Sequence, residues 1–191
     1  VVLGQENPKD LIEGNRPDVL ILATGARPRV FPIPGLDMGR TVTAWDVLSG
    51  AAKVEEPALV LGAGLVGCET ADFLSEQGKK VFLVEILPEM GTGADGDTKA
   101  YFNLKFQKND VEVLTSTEVI RFEGSLAVLK RGEEVLKREA KTVIFAVGAV
   151  PEEGSFVERL SFVPKVIRVG DCVKPRRILD AMQEGFDAGN L

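Results

Sequence analysis

The feature that most restricts the fold is a set of three spaced glycines, Gly62, Gly64 and Gly67, which directly follow the apolar run "ALVL". This G-x-G-x-x-G spacing is typical of a strand–turn–helix unit that binds the diphosphate of a dinucleotide. The first glycine lets the chain turn, the second lets a diphosphate approach the backbone, and the third lets helix and strand pack closely. A packing turn without any ligand stays open as the alternative. The predicted diphosphate-binding residues are Gly62, Ala63, Gly64, Leu65, Val66 and Gly67.

An acidic residue ends the next predicted strand, "KVFLVEI". Glu85 lies 23 positions after Gly62, close to the offset of ~20 residues expected for a carboxylate that binds the adenosine ribose. Such a carboxylate accepts hydrogen bonds from the ribose hydroxyls and repels a 2′-phosphate. No Arg follows within "EILPEM", so we expect NAD(H) rather than NADP(H). The alternative is that Glu85 is only a solvated acid at the end of a strand.

Strand-like apolar runs alternate with helix-like segments along the chain, which predicts an α/β fold. A strand–loop–helix–strand unit covers residues 58–86, and "VLILAT" and "KTVIFAVGAVP" are typical of buried parallel strands. "VEVLTSTEVIRF", "SLAVLK" and "EVLKRE" predict antiparallel strands, with a turn at Arg131 and Gly132, and "KVIRVGD" predicts a further strand. The expected fold is a Rossmann-like NAD(P)-binding lobe with an antiparallel β insert. The predicted helices cover residues 44–50, 65–77, 98–108 and 178–190.

Composition narrows the classes of function. The formal net charge is −6, so no nucleic-acid surface is expected, and no apolar run approaches the ~20 residues that a membrane span needs. The chain has no His, which excludes a Ser-His-Asp or Cys-His centre within it, and its two cysteines, Cys68 and Cys172, suit neither a disulfide framework nor a metal site. No signal-peptide pattern is present, so a cytoplasmic location is expected. Because the chain lacks an initiator Met and ends within a predicted helix, we interpret it as part of a longer polypeptide.

Three segments around the glycine motif carry a resemblance to a known family. "ATGARP" (Ala23 to Pro28) and "AVGAVP" (Ala146 to Pro151) share the form A-x-G-x-x-P, and "RVGDCVKPRRILDAMQEGFDAG" adds a strand, a Gly-Asp pair and a helix. Their order resembles flavoproteins in which an NAD(P)H-binding lobe is inserted into an FAD-binding lobe. The last segment is most similar to the NADH:flavin oxidoreductases that include 2,4-dienoyl-CoA reductase and trimethylamine dehydrogenase.

This resemblance implies three regions: residues 1–40 and 152–191 would form a partial FAD-type lobe, and residues 41–151 would bind NAD(H). Gly170 and Asp171 match the Gly-Asp pair whose carboxylate binds the FAD ribityl chain. Gly25 lies in the loop that closes over the flavin, and Gly148 lies in the corresponding loop of the inner lobe. No second G-x-G-x-x-G is present, so half of the FAD lobe is expected to be missing, and Asp171 would then be a capping residue or a loop acid.

The resemblance also implies the chemistry of a complete enzyme. An N-terminal barrel with FMN and an iron–sulfur (4Fe-4S) cluster would precede this region, and NADH would reduce FAD, which passes electrons on to FMN and an enoyl-type substrate. No residue of this chain is assigned as a catalytic acid or base; its part would be to hold the nicotinamide against the flavin, so the region alone is expected to bind NADH without turnover. Strands that lack their neighbours would favour self-association.

The second candidate function is a structural lobe that holds ADP, as in proteins similar to trimethylamine dehydrogenase. A disulfide reductase is less favoured, because no redox-active Cys pair is present.

Overall fold

The computed structural model describes residues 1–4, 8–152 and 161–190 of the 191-residue chain. The chain divides into two units, one of residues 1–27 with 149–191 and the other of residues 28–148. We call them the smaller and the larger unit. The sequence-based domain limits were placed at residues 41 and 151, and the last predicted region, 152–191, includes residues 153–160, which lie outside the described part. The assignment of each region to a cofactor stays a prediction.

Regular structure alternates along the chain as the sequence pattern predicts. The strands are β1 Val19–Leu22, β2 Ala26–Pro28, β3 Thr41–Thr43, β4 Ala58–Leu61, β5 Val81–Val84, β6 Glu112–Leu114, β7 Glu118–Glu123, β8 Leu126–Arg131, β9 Glu134–Glu139, β10 Thr142–Phe145, β11 Ala149–Pro151 and β12 Lys165–Arg168. The α-helices are α1 Pro8–Asn15, α2 Ala44–Leu48, α3 Leu65–Glu76, α4 Gly96–Lys108 and α5 Ile178–Gly189. Short 3-10 turns cover Met38–Arg40 and Gly170–Cys172.

The larger unit is built on a five-stranded parallel sheet in the order β3-β10-β4-β5-β6. The crossover from β4 to β5 runs through α3, as expected for a βαβ unit. All residues of β4, β5 and β10 are buried, which explains their continuous apolar sequences, since both faces of the sheet are covered. The antiparallel sheet β7-β8-β9 supplies the predicted insert. The α/β fold with a Rossmann-like lobe is therefore confirmed.

The two faces of this sheet enter two different hydrophobic clusters. Val60, Leu83 and Ile144 pack with helix residues such as Phe102 on one face. Alternate residues of the same strands, including Leu59 and Phe82, pack on the other face with the antiparallel strands. Because side chains of a strand point alternately to opposite faces, each strand contributes to both clusters. This double packing fixes the carboxyl ends of β4 and β5, where the glycine motif and Glu85 lie.

Two sequence-based expectations about strands were wrong. The segment "VEVLTSTEVIRF" was expected to be antiparallel throughout, but its first part forms β6, which pairs in parallel with β5. The run "VLILAT" was expected to be buried on both faces, but among the described strands β1 pairs only with β12, and Val19 and Ile21 are 44% and 42% exposed. The local sequence favours a strand in both cases, whereas the sheet it joins and the layers that cover it depend on distant residues.

Candidate dinucleotide-binding site

The glycine loop connects β4 to α3 within the larger unit, and two of its glycines are required by packing. A Cβ atom on Gly67 would lie 1.9 Å from the carbonyl oxygen of Gly62, so only glycine fits where the helix passes the strand end. Gly62 has φ +94°, and a Cβ there would lie 2.8 Å from the carbonyl oxygen of Ala146. These contacts explain the first and third glycines of the motif without any ligand.

Gly64 is different, because its own packing does not require a glycine. Its φ is −66°, and a Cβ built at this position would find no heavy atom within 4 Å. The backbone here faces open space, as expected where a diphosphate approaches the main chain. The open space at Gly64 is compatible with a dinucleotide phosphate. A packing turn without a ligand does not explain why this position lacks a side chain.

The start of α3 supplies positive electrostatic character to the same place. Gly64 is the N-cap residue and offers no side-chain cap to the helix. Cys68 donates the first intrahelical N–H bond, to the Gly64 carbonyl oxygen at 3.0 Å, so the N–H groups of the preceding residues have no carbonyl partner within the helix. Leu65 and Val66 are exposed at this end, with 39% and 38% of their surface accessible. The N-terminus of a helix with this geometry favours an anion.

Glu85 lies directly against the glycine loop. It is only 8% exposed, and its Oε2 accepts a 2.7 Å hydrogen bond from the Ala63 N–H, while Oε1 accepts one of 2.9 Å from the Leu87 N–H. The interpretation of Glu85 as a solvated strand-end acid is therefore wrong. A carboxylate oxygen can accept more than one hydrogen bond, so both oxygens keep the capacity to accept from a ribose.

A segment that the sequence analysis overlooked also contacts this loop. Gly91 donates its N–H to the Ala63 carbonyl oxygen at 2.6 Å, and Thr92 forms an isolated parallel bridge with Gly64. The chain after β5 thus returns to the glycine loop and lies beside its exposed backbone. Gly91 and Gly93, which both have positive φ, are a local sequence signal of a turn at this place.

A pocket of about 210 Å³ opens at the carboxyl ends of β4 and β5. Gly62, Glu85 and the neighbouring Ile86 line it together with apolar side chains from three other segments, namely Phe31 and Ile33, Val119, and Val147. Thr117 and Glu118 add polar groups to the lining. An apolar slot beside a carboxylate is suited to a flat ring attached to a sugar. Sequence reasoning missed the contributions of Phe31 and Ile33, because they lie in a loop rich in Pro and Gly that has no motif.

The remaining predicted site residues fall in different parts of the chain. Gly148, with φ +86°, follows β10 in the larger unit, and its carbonyl oxygen accepts the Arg29 N–H at 3.0 Å. Gly25 belongs to the smaller unit, where its carbonyl oxygen accepts the Glu152 N–H at 2.9 Å. The larger unit thus brings together the glycine loop and Glu85, and the three residues assigned to FAD lie in the smaller unit.

The Gly-Asp pair has a defined role within the smaller unit itself. Gly170 has φ +71° and donates its N–H to Glu184 at 2.7 Å, and a Cβ on it would lie 3.3 Å from that of Ala181. Asp171 accepts the Arg176 N–H through Oδ1 at 3.1 Å. The contacts of Gly170 tie the loop to α5, and whether Asp171 binds a flavin or is a capping residue or loop acid stays a prediction.

The two cysteines lie in buried positions and show no sign of reactivity. Cys68 is fully buried, and this burial raises the pKa of its thiol to about 11. Cys172 is also buried and forms no disulfide. Within residues 1–4, 8–152 and 161–190, no group of His, Cys, Asp or Glu side chains is arranged to hold a metal ion. Over the same ranges, no helix has both the length and the apolar character needed to cross a bilayer.

The chain is similar to proteins of one known family. The model of the pyridine nucleotide-disulphide oxidoreductase family matches residues 13–185. The NADH oxidase of Thermoanaerobacter brockii is 35% identical over 178 residues, which cover 89% of this chain and 27% of that protein. The bilirubin reductase of Mediterraneibacter gnavus (strain CC55_001C) is 30% identical over 190 residues, 99% of this chain and 30% of that protein. This chain therefore spans less than a third of the length of these relatives.

Among solved structures, a 2-naphthoyl-CoA reductase in complex with 2-naphthoyl-CoA superimposes with a TM-score of 0.86. The match covers 98% of this chain and 29% of that chain, at 23% sequence identity. At this identity the similarity establishes the fold alone.

Proposed function

Because the chain belongs to the pyridine nucleotide-disulphide oxidoreductase family, whose members use FAD and NAD(P)H, we propose that its larger unit binds NADH for reduction of a flavin. The glycine loop, Gly62 to Gly67, would bind the diphosphate, and Glu85 would accept hydrogen bonds from the adenosine ribose. The reaction itself, hydride transfer, would be supplied by the two cofactors when they are bound. The protein would contribute position and electrostatics, and we assign no residue of it as an acid or base.

The observation that carries this proposal is the combination of an open backbone at Gly64 with a buried carboxylate beside it. Packing explains Gly62 and Gly67, but it gives no reason for the absence of a side chain at Gly64. Glu85 is held by two backbone N–H groups, so its orientation is set before a nucleotide arrives. A preorganised acceptor gives up less conformational entropy when a ligand binds.

The preference for NADH over NADPH follows from the charge of Glu85. A 2′-phosphate at the ribose would meet this carboxylate at close range, and like charges in a partly buried site repel strongly. The next residues, Ile86 to Met90, contain no Arg or Lys that could compensate. We therefore expect NADPH to bind more weakly than NADH.

The function of the whole protein is a wider proposal. The relatives are more than three times as long as this chain and include reductases, and the chain's Gly-Asp segment resembles NADH:flavin oxidoreductases similar to 2,4-dienoyl-CoA reductase. In this proposal the smaller unit, through Gly25, Gly170 and Asp171, contributes to an FAD site. FMN and a 4Fe-4S cluster would be held by other parts of a longer polypeptide, and the final acceptor would be an enoyl-type substrate.

A glycine substitution with a matched control tests the diphosphate site. Gly64→Ala places a methyl group where the diphosphate would lie, and we expect NADH affinity to fall at least about tenfold, or 1.4 kcal/mol. Gly96→Ala is the control, because Gly96 also begins a helix, has open space around its Cβ position and has no positive φ. NADH binding is measured by fluorescence titration, with NADPH compared in parallel.

Equal losses in the two glycine variants, with their melting temperatures unchanged, would contradict the assignment of the loop. Equal affinities of the unmodified protein for NADH and NADPH would contradict the assignment of Glu85.

A second candidate function is a structural lobe that holds ADP and transfers no hydride. It is supported by the same observations, because the glycine loop and Glu85 would bind the ADP half of a dinucleotide in either case. Isothermal titration calorimetry of ADP against NADH separates the two. Tighter binding of NADH supports the catalytic proposal, and equal affinities support the structural one.

A further inference from the structure

We propose that the larger unit has a second ligand site, which binds a phosphate group of a small molecule at the sheet edge opposite to the glycine loop. A pocket of about 300 Å³ lies there, and the charged residues that line it are Arg40, Lys53, Lys141 and Glu55. The lining thus includes three cationic residues and one carboxylate, in a chain whose formal net charge is −6. This local excess of positive charge runs against the charge of the whole protein.

Strand direction places this pocket away from the dinucleotide site. Arg40 directly precedes β3 and Lys141 directly precedes β10, and these two strands run parallel with Thr41 opposite Val143. Both residues therefore lie at the amino ends of strands, whereas Gly62 follows the carboxyl end of β4. Because β4 and β10 are parallel neighbours, the phosphate pocket lies at the amino ends of the strands and the glycine loop at their carboxyl ends.

The guanidinium of Arg40 is held in place by neutral groups. Its Nη1 donates to the Ala140 carbonyl oxygen and its Nη2 to the Gly124 carbonyl oxygen, both at 2.8 Å. Its Cζ lies 5.9 Å from the centre of the Phe122 ring. A guanidinium fixed in this way loses little freedom when it binds an anion, and five N–H donors leave some available after two are used.

The positive charges of the pocket have no anionic partner within the described part of the chain. Across residues 1–4, 8–152 and 161–190, no carboxylate oxygen lies within 4.0 Å of the charged nitrogens of Arg40, Lys53 or Lys141. Many other cations of the chain do have such a partner, for example Arg138, which pairs with Glu112. Cations without an anionic partner that line one concavity attract a multiply charged anion.

The size and lining of the pocket favour a phosphate carried by a small molecule. Its volume is at the lower end of the range for small-molecule sites, about 300–1,000 Å³. Ser125 adds a hydroxyl donor to the lining. The Oγ1 of Thr142 is already bonded to the backbone of Glu55, from which it accepts at 2.8 Å and to which it donates at 2.9 Å. These two hydrogen bonds engage the hydroxyl of Thr142 within the protein. The anion would therefore be bound by the three cations and Ser125.

Inorganic phosphate is the probe for a direct test. We expect its addition to shift the backbone NMR signals of Ser125, Lys141 and Thr142 in the full chain, beyond the shifts that sodium chloride of equal ionic strength causes. The double substitution Lys53→Met with Lys141→Met should weaken this binding by at least about tenfold, since charge-assisted contacts dominate phosphate recognition. The matched control, Lys108→Met with Lys130→Met, removes two exposed lysines elsewhere in the larger unit and should leave the affinity unchanged.

Glu55→Gln gives an effect in the opposite direction, because it removes the only carboxylate among the described residues that line the pocket, and we expect phosphate to bind more tightly. The proposal is overturned if phosphate shifts only the signals of Gly62 to Gly67, or if the two double variants lose affinity equally. It is also overturned if Glu55→Gln leaves the affinity unchanged. The signals of the glycine loop report separately on the dinucleotide site, so failure here leaves the proposed NADH function untouched.

Discussion

Strands β1 and β4 have nearly the same apolar sequences, "VLIL" and "ALVL", yet their surroundings differ. β4 has parallel partners on both sides, β10 and β5, and all of its residues are buried. Within the part of the chain that the structure describes, β1 has one partner, β12, and of its four residues only Leu22 is buried. The same contrast holds for helices, because α3 buries Cys68, Ala71 and Leu74, whereas α5 buries only Ala188.

The difference shows that an apolar run predicts a strand more reliably than it predicts burial. Strand β4 has a neighbouring strand on each side, and its residues contribute alternately to the packed clusters on the two faces of the sheet. Strand β1 belongs to a two-stranded sheet. Isolated two-stranded sheets are marginally stable in water. The larger unit therefore has the interior needed to position a ligand site, and within the described residues the smaller unit has little such interior.

The largest expected effect comes from truncating the same residue type in the two units. Ile144 in β10 is fully buried, and Ile21 in β1 is 42% exposed. We expect Ile144→Ala to lower the free energy of unfolding by about 3–4 kcal/mol, because it leaves a cavity in a packed core. Ile21→Ala should lower it by less than about 1 kcal/mol.

Urea unfolding followed by far-UV circular dichroism, to which both units contribute, measures the loss in both variants, and the fluorescence of Trp45, the only Trp of the chain, reports in addition on the larger unit. Similar losses would mean that β1 is as well packed as β10 and would remove the contrast.

A smaller effect is expected from the thiol of Cys68. Burial keeps this thiol protonated in the folded larger unit, with a pKa of about 11 against the usual 9.0. The unfolded chain loses the proton first as the pH rises, so stability should decrease between about pH 9 and pH 11, by roughly 2–3 kcal/mol when complete. Below pH 9 this contribution is fully retained.

Urea unfolding at pH 8.5 and pH 10.5 measures the loss, with Cys68→Ala as the reference variant. An identical loss in that variant would show that other groups cause it. Thiol labelling at pH 8 adds a kinetic comparison with Cys172→Ser, in which Cys68 is the one remaining thiol and should react slowly.

The smallest effect on stability concerns the exposed apolar face of α5. Phe186 and Leu104 are both 69% exposed, one in the smaller unit and one in the larger. Replacing either by Gln should change stability by no more than about 0.5 kcal/mol. Phe186 lies on a face with Ile178, Leu179 and Met182, which are also exposed, and contiguous apolar patches favour association.

We therefore expect Phe186→Gln, and not Leu104→Gln, to reduce concentration-dependent self-association in sedimentation velocity experiments. Equal behaviour of the two variants would show that the contrast between the units does not extend to association.

Much of the candidate site was predictable because its signals are local. The spacing of Gly62, Gly64 and Gly67 reflects the geometry of one turn, and the structure assigns packing contacts to two of them and open space to the third. The position of Glu85 at the end of β5 follows from the length of a single βαβ unit. Its two backbone partners, Ala63 and Leu87, were not predictable, because they depend on how the loop folds back.

Other features had no local signal at all. The pocket beside Glu85 is lined by Phe31 and Val119, which lie far apart in the sequence. The proposed phosphate pocket is lined by Arg40 and Lys141, which are also far apart along the chain. The placement of β6 in the parallel sheet was missed for a related reason. A short apolar run specifies a strand, but its partner is chosen by the packing that it completes.

By itself, the sequence determined that this protein contains a strand–turn–helix unit with bare backbone at its turn and an acid at the end of the next strand. These features depend on residues that are close along the chain, where backbone geometry leaves few options. The tertiary structure decided which apolar strands are buried, how Glu85 is held and which cations converge on a pocket. Each of these depends on contacts between distant segments, because burial and electrostatic environment are properties of what surrounds a residue.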